Sequence, residues 1–132
     1  MKTNDYGHST EIELLSEQES ARTLAHMDKA FLLFRHLDRI NRISCMNPID
    51  YNLYNNSVIQ LELLLRPDVE ENFKYGKRKK ELEEGLEKAF NKISKKKKEQ
   101  VYHIYMFEFY KGVFALLNVL MCDRGYFDRD YV

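Results

Sequence analysis

Over residues 21–43 the apolar side chains Leu24, Met27, Phe31, Phe34, Leu37 and Ile40 recur at intervals of three and four, which places them on one stripe of a helix. Upstream, Thr10-x-x-Glu13 and Ser16-x-x-Glu19 are both capping-box patterns, so this first helix starts at one or the other. It should stop within residues 44–47, because Pro48 pushes its predecessor out of helical geometry. Tyr51, Tyr54, Val58, Leu61 and Leu65 then follow a strict three-four-three-four spacing and share a narrow seam on a second helix. Leu53, Ile59, Leu63 and Leu64 lie outside that seam, so this helix needs cover on more than one side, and Pro67 is expected to end it.

Asp68 with Glu71 three residues on is a further capping box, and the acidic pair Glu70 and Glu71 suits the positive end of a helix dipole. The apolar positions Val69 and Phe73 are out of phase with Leu82, Leu86, Ala89 and Ile93, with Gly76 between them as a break. A short helix followed by a longer one is the expectation. Residues 99–122 are apolar almost all round a helical wheel, except that Gln100, Lys111 and Asn118 fall within about 20° of each other. So narrow a polar strip predicts a central helix. Residues 101–110 are also rich in β-formers, but their polar positions do not alternate as a half-buried strand requires.

Residues 1–10 have loop composition, and residues 123–132 read as a turn followed by a docked or frayed end. Short connections between about four helices favour antiparallel neighbours. The expected fold is therefore all-α, an up-and-down bundle of about four helices in one domain spanning residues 1–132. The alternative is three long helices, with the third running into the fourth through residues 95–98.

Composition adds that this chain folds: 44% of its 132 residues are hydrophobic, with 9 Tyr and 8 Phe against 5 Gly and 2 Pro. Cys45 and Cys122 form no CxxC pair and suit neither a disulfide framework nor a zinc site, which points to free thiols in a reducing cytoplasm. The first residues are polar, without the apolar run of a secretory signal. Residues 101–122 are long enough to span a membrane but carry His103, Glu108 and Lys111, and a central charge costs about 2.5–3.5 kcal/mol on insertion scales. A core helix is expected there rather than a spanning one.

Net charge is zero, yet the charges are segregated. Residues 1–73 carry 7 basic and 12 acidic side chains, residues 74–98 carry 11 and 4, and residues 99–132 carry 3 and 5. Within the basic segment Lys77, Arg78, Lys79 and Lys80 cluster at one end and Lys95, Lys96, Lys97 and Lys98 at the other. On a single helix the clusters would lie roughly 22 Å apart, a separation that reaches different phosphates of a nucleic acid. The plainer reading is a solvated face in which Glu81, Glu83, Glu84 and Glu87 make pairs such as Glu84 with Lys88.

Little else points to chemistry. His8, His26, His36 and His103 have no His or carboxylate at a metal-ligand spacing, and there is no Gly-rich phosphate loop or G-x-S-x-G elbow. No cofactor or metal is expected. Glu108 and Lys111, three apart inside the apolar helix, are expected to pair with each other at the edge of the core. The aromatic run of Tyr102, Tyr105, Phe107, Phe109, Tyr110 and Phe114 would serve as core or subunit interface, and less simply as a stacking surface for bases.

The reading that follows is a non-enzymatic protein-interaction or assembly module, homodimeric, with Tyr54, Leu61, Tyr105, Phe107 and Phe109 as interface candidates. The alternative is a nucleic-acid-binding accessory or regulator using the basic segment 74–98. A composition rich in Lys, Asn and Tyr in a small chain suits an accessory protein of a virus or other mobile element.

Overall fold

Three of the interhelical turns each carry a side chain that caps the helix after it. The structure is a computed structural model that describes the backbone of residues 10–127 and the side chains of residues 25–127. It contains α1 (Thr10–Ser44), α2 (Tyr51–Leu64), α3 (Arg66–Glu70), α4 (Phe73–Phe90) and α5 (Lys95–Asp123), and no strand among the described residues. The fold is all-α. The Asp50 carboxylate accepts the Leu53 N–H at 3.0 Å, the Asn72 side chain accepts the Tyr75 N–H at 2.9 Å, and the Ser94 hydroxyl accepts the Lys97 N–H at 3.4 Å. These three contacts start α2, α4 and α5.

α2 packs between α1 and α5, and α4 packs on α5. The rings of Tyr51 and His103 meet at one end of the α2–α5 pair and Asp68 meets Arg124 at the other, so α2 and α5 run parallel. α4 runs antiparallel to α5, because Phe90 at its end stacks on Tyr105 near the start of α5. The result is a bundle of four long helices with α3 as a one-turn link. At the middle of the α4–α5 contact stands Gly112, where a Cβ would collide with the Leu82 side chain. The missing side chain permits the close approach.

The core draws Leu33, Leu37, Ile40 and Ile43 from α1, Tyr54, Val58 and Leu61 from α2, Leu65 from its C-cap, Tyr75 from α4, and Val113, Leu117, Leu120 and Met121 from α5. Full burial of each such side chain contributes about 1.5–3 kcal/mol. Four of the five second-helix seam residues are therefore buried as their spacing implied, and Tyr51 is half-buried. The first-helix stripe is not: of its described members only Leu37 and Ile40 are buried, while Met27, Phe31 and Phe34 are exposed.

Other boundaries differ as well. Pro67 does not simply close α2; it occupies the first turn of α3, where a missing N–H costs nothing. Asp68 caps nothing, being buried within α3; the expected short helix followed by a longer one is present as α3 and α4, with the break at Glu71 and Asn72. Gly76 is no break but an ordinary residue of α4. The three-helix alternative fails because Asn91, Lys92 and Ile93 turn the chain between α4 and α5, and residues 95–98 become the first turn of α5. The predicted fourth helix thus starts four residues earlier than expected. Nor is α5 enclosed along its length, since its buried residues all lie between Val113 and Met121.

Candidate interaction surfaces

Two polar clusters knit the described part of the molecule together. In the first, the Asp68 carboxylate, only 6% exposed, accepts from Lys29 Nζ at 3.2 Å, from Arg124 Nε at 2.8 Å and from the Tyr126 hydroxyl at 3.5 Å. Arg124 also donates to Glu71 at 2.5 Å, and His26 stacks on Tyr126 with its Nε2 3.2 Å from the Gly125 carbonyl. The segment after α5 is therefore docked onto α1 and α3, turning at Gly125, whose φ of 77° lies in the left-handed region. Burial would raise the Asp68 carboxyl, but the hydrogen bonds from Arg124 and Lys29 outweigh it and hold the group below the usual carboxylate range.

In the second cluster, the Tyr75 hydroxyl donates to Glu62 Oε2 at 2.5 Å and Lys79 Nζ donates to the same oxygen at 2.7 Å, clamping α4 to α2. Burial, then the bond to Glu62, pushes the Tyr75 hydroxyl upward. Neither cluster was foreseen from the sequence, because both join residues far apart in the chain.

The aromatic interface candidates are turned largely inward. Leu61 has no exposed surface and Tyr54 only 3%, so neither offers a partner anything without unfolding, and burial pushes the Tyr54 hydroxyl up to about 12. Phe107 packs edge-on against both Tyr51 and Tyr54 at ring separations of 4.9 and 5.0 Å, Tyr105 stacks on Phe90 at 4.5 Å, and Phe109 meets Tyr110 at 5.1 Å. All three are half-buried among the chain's own rings. Glu108 and Lys111 pair at 2.8 Å as expected, both half-exposed, with Lys111 Nζ 4.8 Å above the Phe107 ring. By length and composition α5 is able to cross a membrane, with a mean hydropathy of 1.4 over its most apolar 18 residues, 22% of them buried.

Apolar side chains are exposed at Leu63, Phe73, Tyr102, Ile104 and Val119, and on α1 they form a row. Met27, Phe31 and Phe34 are 58%, 72% and 40% exposed, and their side chains fall within about 60° on the helical wheel. That row points roughly 140° away from the buried row of Leu33, Leu37, Ile40 and Ile43. Beside it stand Asp28 and Arg35, both exposed and without an ion pair inside the chain among the described residues. His36, on the other side, is held below its ordinary range by partial burial and by the neighbouring Arg39 and Arg35.

The two basic clusters sit on antiparallel helices rather than on one. Lys77, Arg78, Lys79 and Lys80 lie in the first half of α4, and Lys95, Lys96, Lys97 and Lys98 form the first turn of α5. Lys79 is committed to Glu62, and Lys98 Nζ lies 5.6 Å over the Phe90 ring; the other six are exposed. The expected Glu84–Lys88 pair is not formed. Among the described residues no group of three or more His, Cys, Asp or Glu is placed to hold a metal.

No protein-family model matches this chain, and no curated protein or solved structure is recognisably similar to it.

Proposed function

We propose that this chain is a non-enzymatic helical assembly module that works as a homodimer. The observation that carries the reading is the row of Met27, Phe31 and Phe34 on α1, apolar, contiguous and turned away from the chain's own core. A large aromatic such as Phe31 gains most from being covered, and exposed apolar patches on a folded surface mark interaction sites. The test is sedimentation equilibrium of the wild-type chain and a Met27→Ser/Phe31→Ser/Phe34→Ser variant across about a hundredfold concentration range. A wild-type dimer and a monomeric variant of unchanged helicity are expected. A wild-type chain that stays monomeric throughout overturns the reading.

A second reading, nucleic-acid binding, is favoured by one observation. Lys95, Lys96, Lys97 and Lys98 occupy the positive end of the α5 dipole, where cations are unfavourable for the helix itself and a phosphate would be welcome. Fluorescence anisotropy of labelled duplex DNA and single-stranded RNA at about 50 and 200 mM salt tests it, since binding through phosphates weakens steeply over that range. No binding at the lower salt ends this second reading.

A further inference from the structure

Resting on the nucleic-acid reading, we infer that the outward face of α4 binds single-stranded nucleic acid, the Phe73 ring stacking on a base while Lys77 and Lys80 hold phosphates beside it. This face is separate from the lysines that open α5. Phe73 is 85% exposed, more than any other large apolar side chain among the described residues. Phe73, Lys77 and Lys80, four and then three residues apart, fall within about 60° on the helical wheel of α4. That face is turned away from Tyr75, which is buried, and from Leu82, which packs at Gly112 of α5. Lys77 and Lys80 are exposed and make no ion pair among the described residues, whereas Lys79, on the inner side, is held by Glu62 at 2.7 Å.

The chemistry of the face selects the occupant. A strand laid along α4 meets the ring first and the two ammonium groups about 6 and 10 Å further along the axis. Beside them Lys74, Lys77 and Arg78, with Glu81, line an open concavity of about 500 Å³. Three cations against one carboxylate make it a trough for phosphates. The patch is also bounded, since residues 74–80 carry five basic side chains and no acidic one, and residues 81–87 carry four acidic and no basic. A polyanion is therefore attracted over the first two turns and repelled beyond them, which suits a few nucleotides. A duplex keeps its bases stacked on one another and offers the ring no free base face, so single strands are preferred. A bilayer fits less well, because a helix lying in a membrane needs a continuous apolar face, and here Phe73 is aligned with two ammonium groups.

The chain contains no tryptophan, so Phe73→Trp provides a single fluorescent reporter at an exposed position. Oligothymidylate of about fifteen nucleotides should quench it, and inorganic polyphosphate, which has no base to stack, should not. Anisotropy of the same strand, labelled, at about 50 and 200 mM salt then separates the ring from the cations. Phe73→Ala should weaken single-strand binding about tenfold and leave its salt dependence as it was. Lys77→Gln/Lys80→Gln should weaken it and lower the salt slope by about 1.4, the loss of two phosphate contacts. Both variants replace exposed side chains and should leave the circular dichroism unchanged. Binding unaffected by Phe73→Ala, or equally strong for duplex and single strand, overturns the proposal. If Lys95→Glu/Lys96→Glu abolishes binding while the α4 variants leave it untouched, the nucleic-acid reading stands and the α4 face has no part in it. A blue shift of the tryptophan on phosphatidylserine vesicles, without quenching by oligothymidylate, assigns the face to a bilayer instead. A wild-type chain that binds no oligonucleotide at the lower salt removes the proposal together with the reading it rests on.

Discussion

α1 carries two apolar rows of similar size and opposite fate. Leu33, Leu37, Ile40 and Ile43 are enclosed by the bundle, and Met27, Phe31 and Phe34 are not. The rows differ little in hydrophobicity; what separates them is which direction α2 approaches from. The same division runs through the charged residues. Asp68 and Glu62 have every partner within the chain, whereas the four lysines that open α5 face the wrong end of its dipole. Enclosed and paired groups hold the fold together, and exposed ones are what it has left to offer.

The sharpest way to break this comparison is to truncate one residue from each row. Leu37→Ala should cost about 2–5 kcal/mol of stability, since it opens a cavity among enclosed side chains. Phe31→Ala should cost less than about 0.5 kcal/mol in the monomer, as an exposed side chain does. Thermal melts at several protein concentrations separate the two further. In the proposed dimer the Phe31→Ala deficit should grow with concentration, because covering Phe31 would stabilise the wild type by mass action, while the Leu37→Ala deficit should not. Equal costs for the two truncations would abolish the distinction between the rows.

Next in size is the Asp68 cluster. Its depressed carboxyl means that the folded state binds its proton less readily than the unfolded chain does. The stabilisation is fully present above the unfolded carboxylate range, near pH 4, and is lost as pH falls through the lower folded value. The melting temperature should therefore decline from about pH 5 downward, and Asp68→Asn should flatten that decline. At neutral pH the same variant should cost about 1–3 kcal/mol by weakening the contacts from Lys29 and Arg124. If Asp68→Asn leaves the acid limb of the melting curve unchanged, the cluster is not what fastens the segment after α5.

Much of this arrangement was legible in the residues, and the failures share a cause. The seam of Tyr51, Tyr54, Val58, Leu61 and Leu65 identified α2 because α2 is covered on two sides, so its periodicity reports burial directly. On α1 the spacing of the six apolar residues implies one face, but they drift around the helix, and of the described ones Met27, Phe31 and Phe34 are turned outward and Leu37 and Ile40 inward. Leu33 and Ile43, outside that stripe, complete the buried row. Asp68 looked like a cap because spacing within the chain is all a capping box records; its partners come from α1 and from beyond α5. Asn72 and Ser94 stand where caps are wanted and could have been recognised by residue type alone. Of the candidate interface, Tyr54 and Leu61 were misplaced because a strong seam is equally the signature of a core, and sequence periodicity does not say whose side chains fill it.

The four residues by which α5 starts ahead of residue 99 give the smallest and most discriminating prediction. Four lysines in a first turn oppose the dipole, yet Ser94 caps the helix and the lysines are helical. Lys95 and Lys96 are exposed and make no ion pair among the described residues, so replacing them has no packing cost. Lys95→Glu/Lys96→Glu should accordingly stabilise the chain by about 0.3–1 kcal/mol at low salt, and the gain should shrink as salt screens it. On the second reading proposed above, the same variant should also lose affinity for polyanions. Destabilisation by this substitution would show that the lysines belong with the paired groups after all, and would move the dividing line between the two kinds of surface.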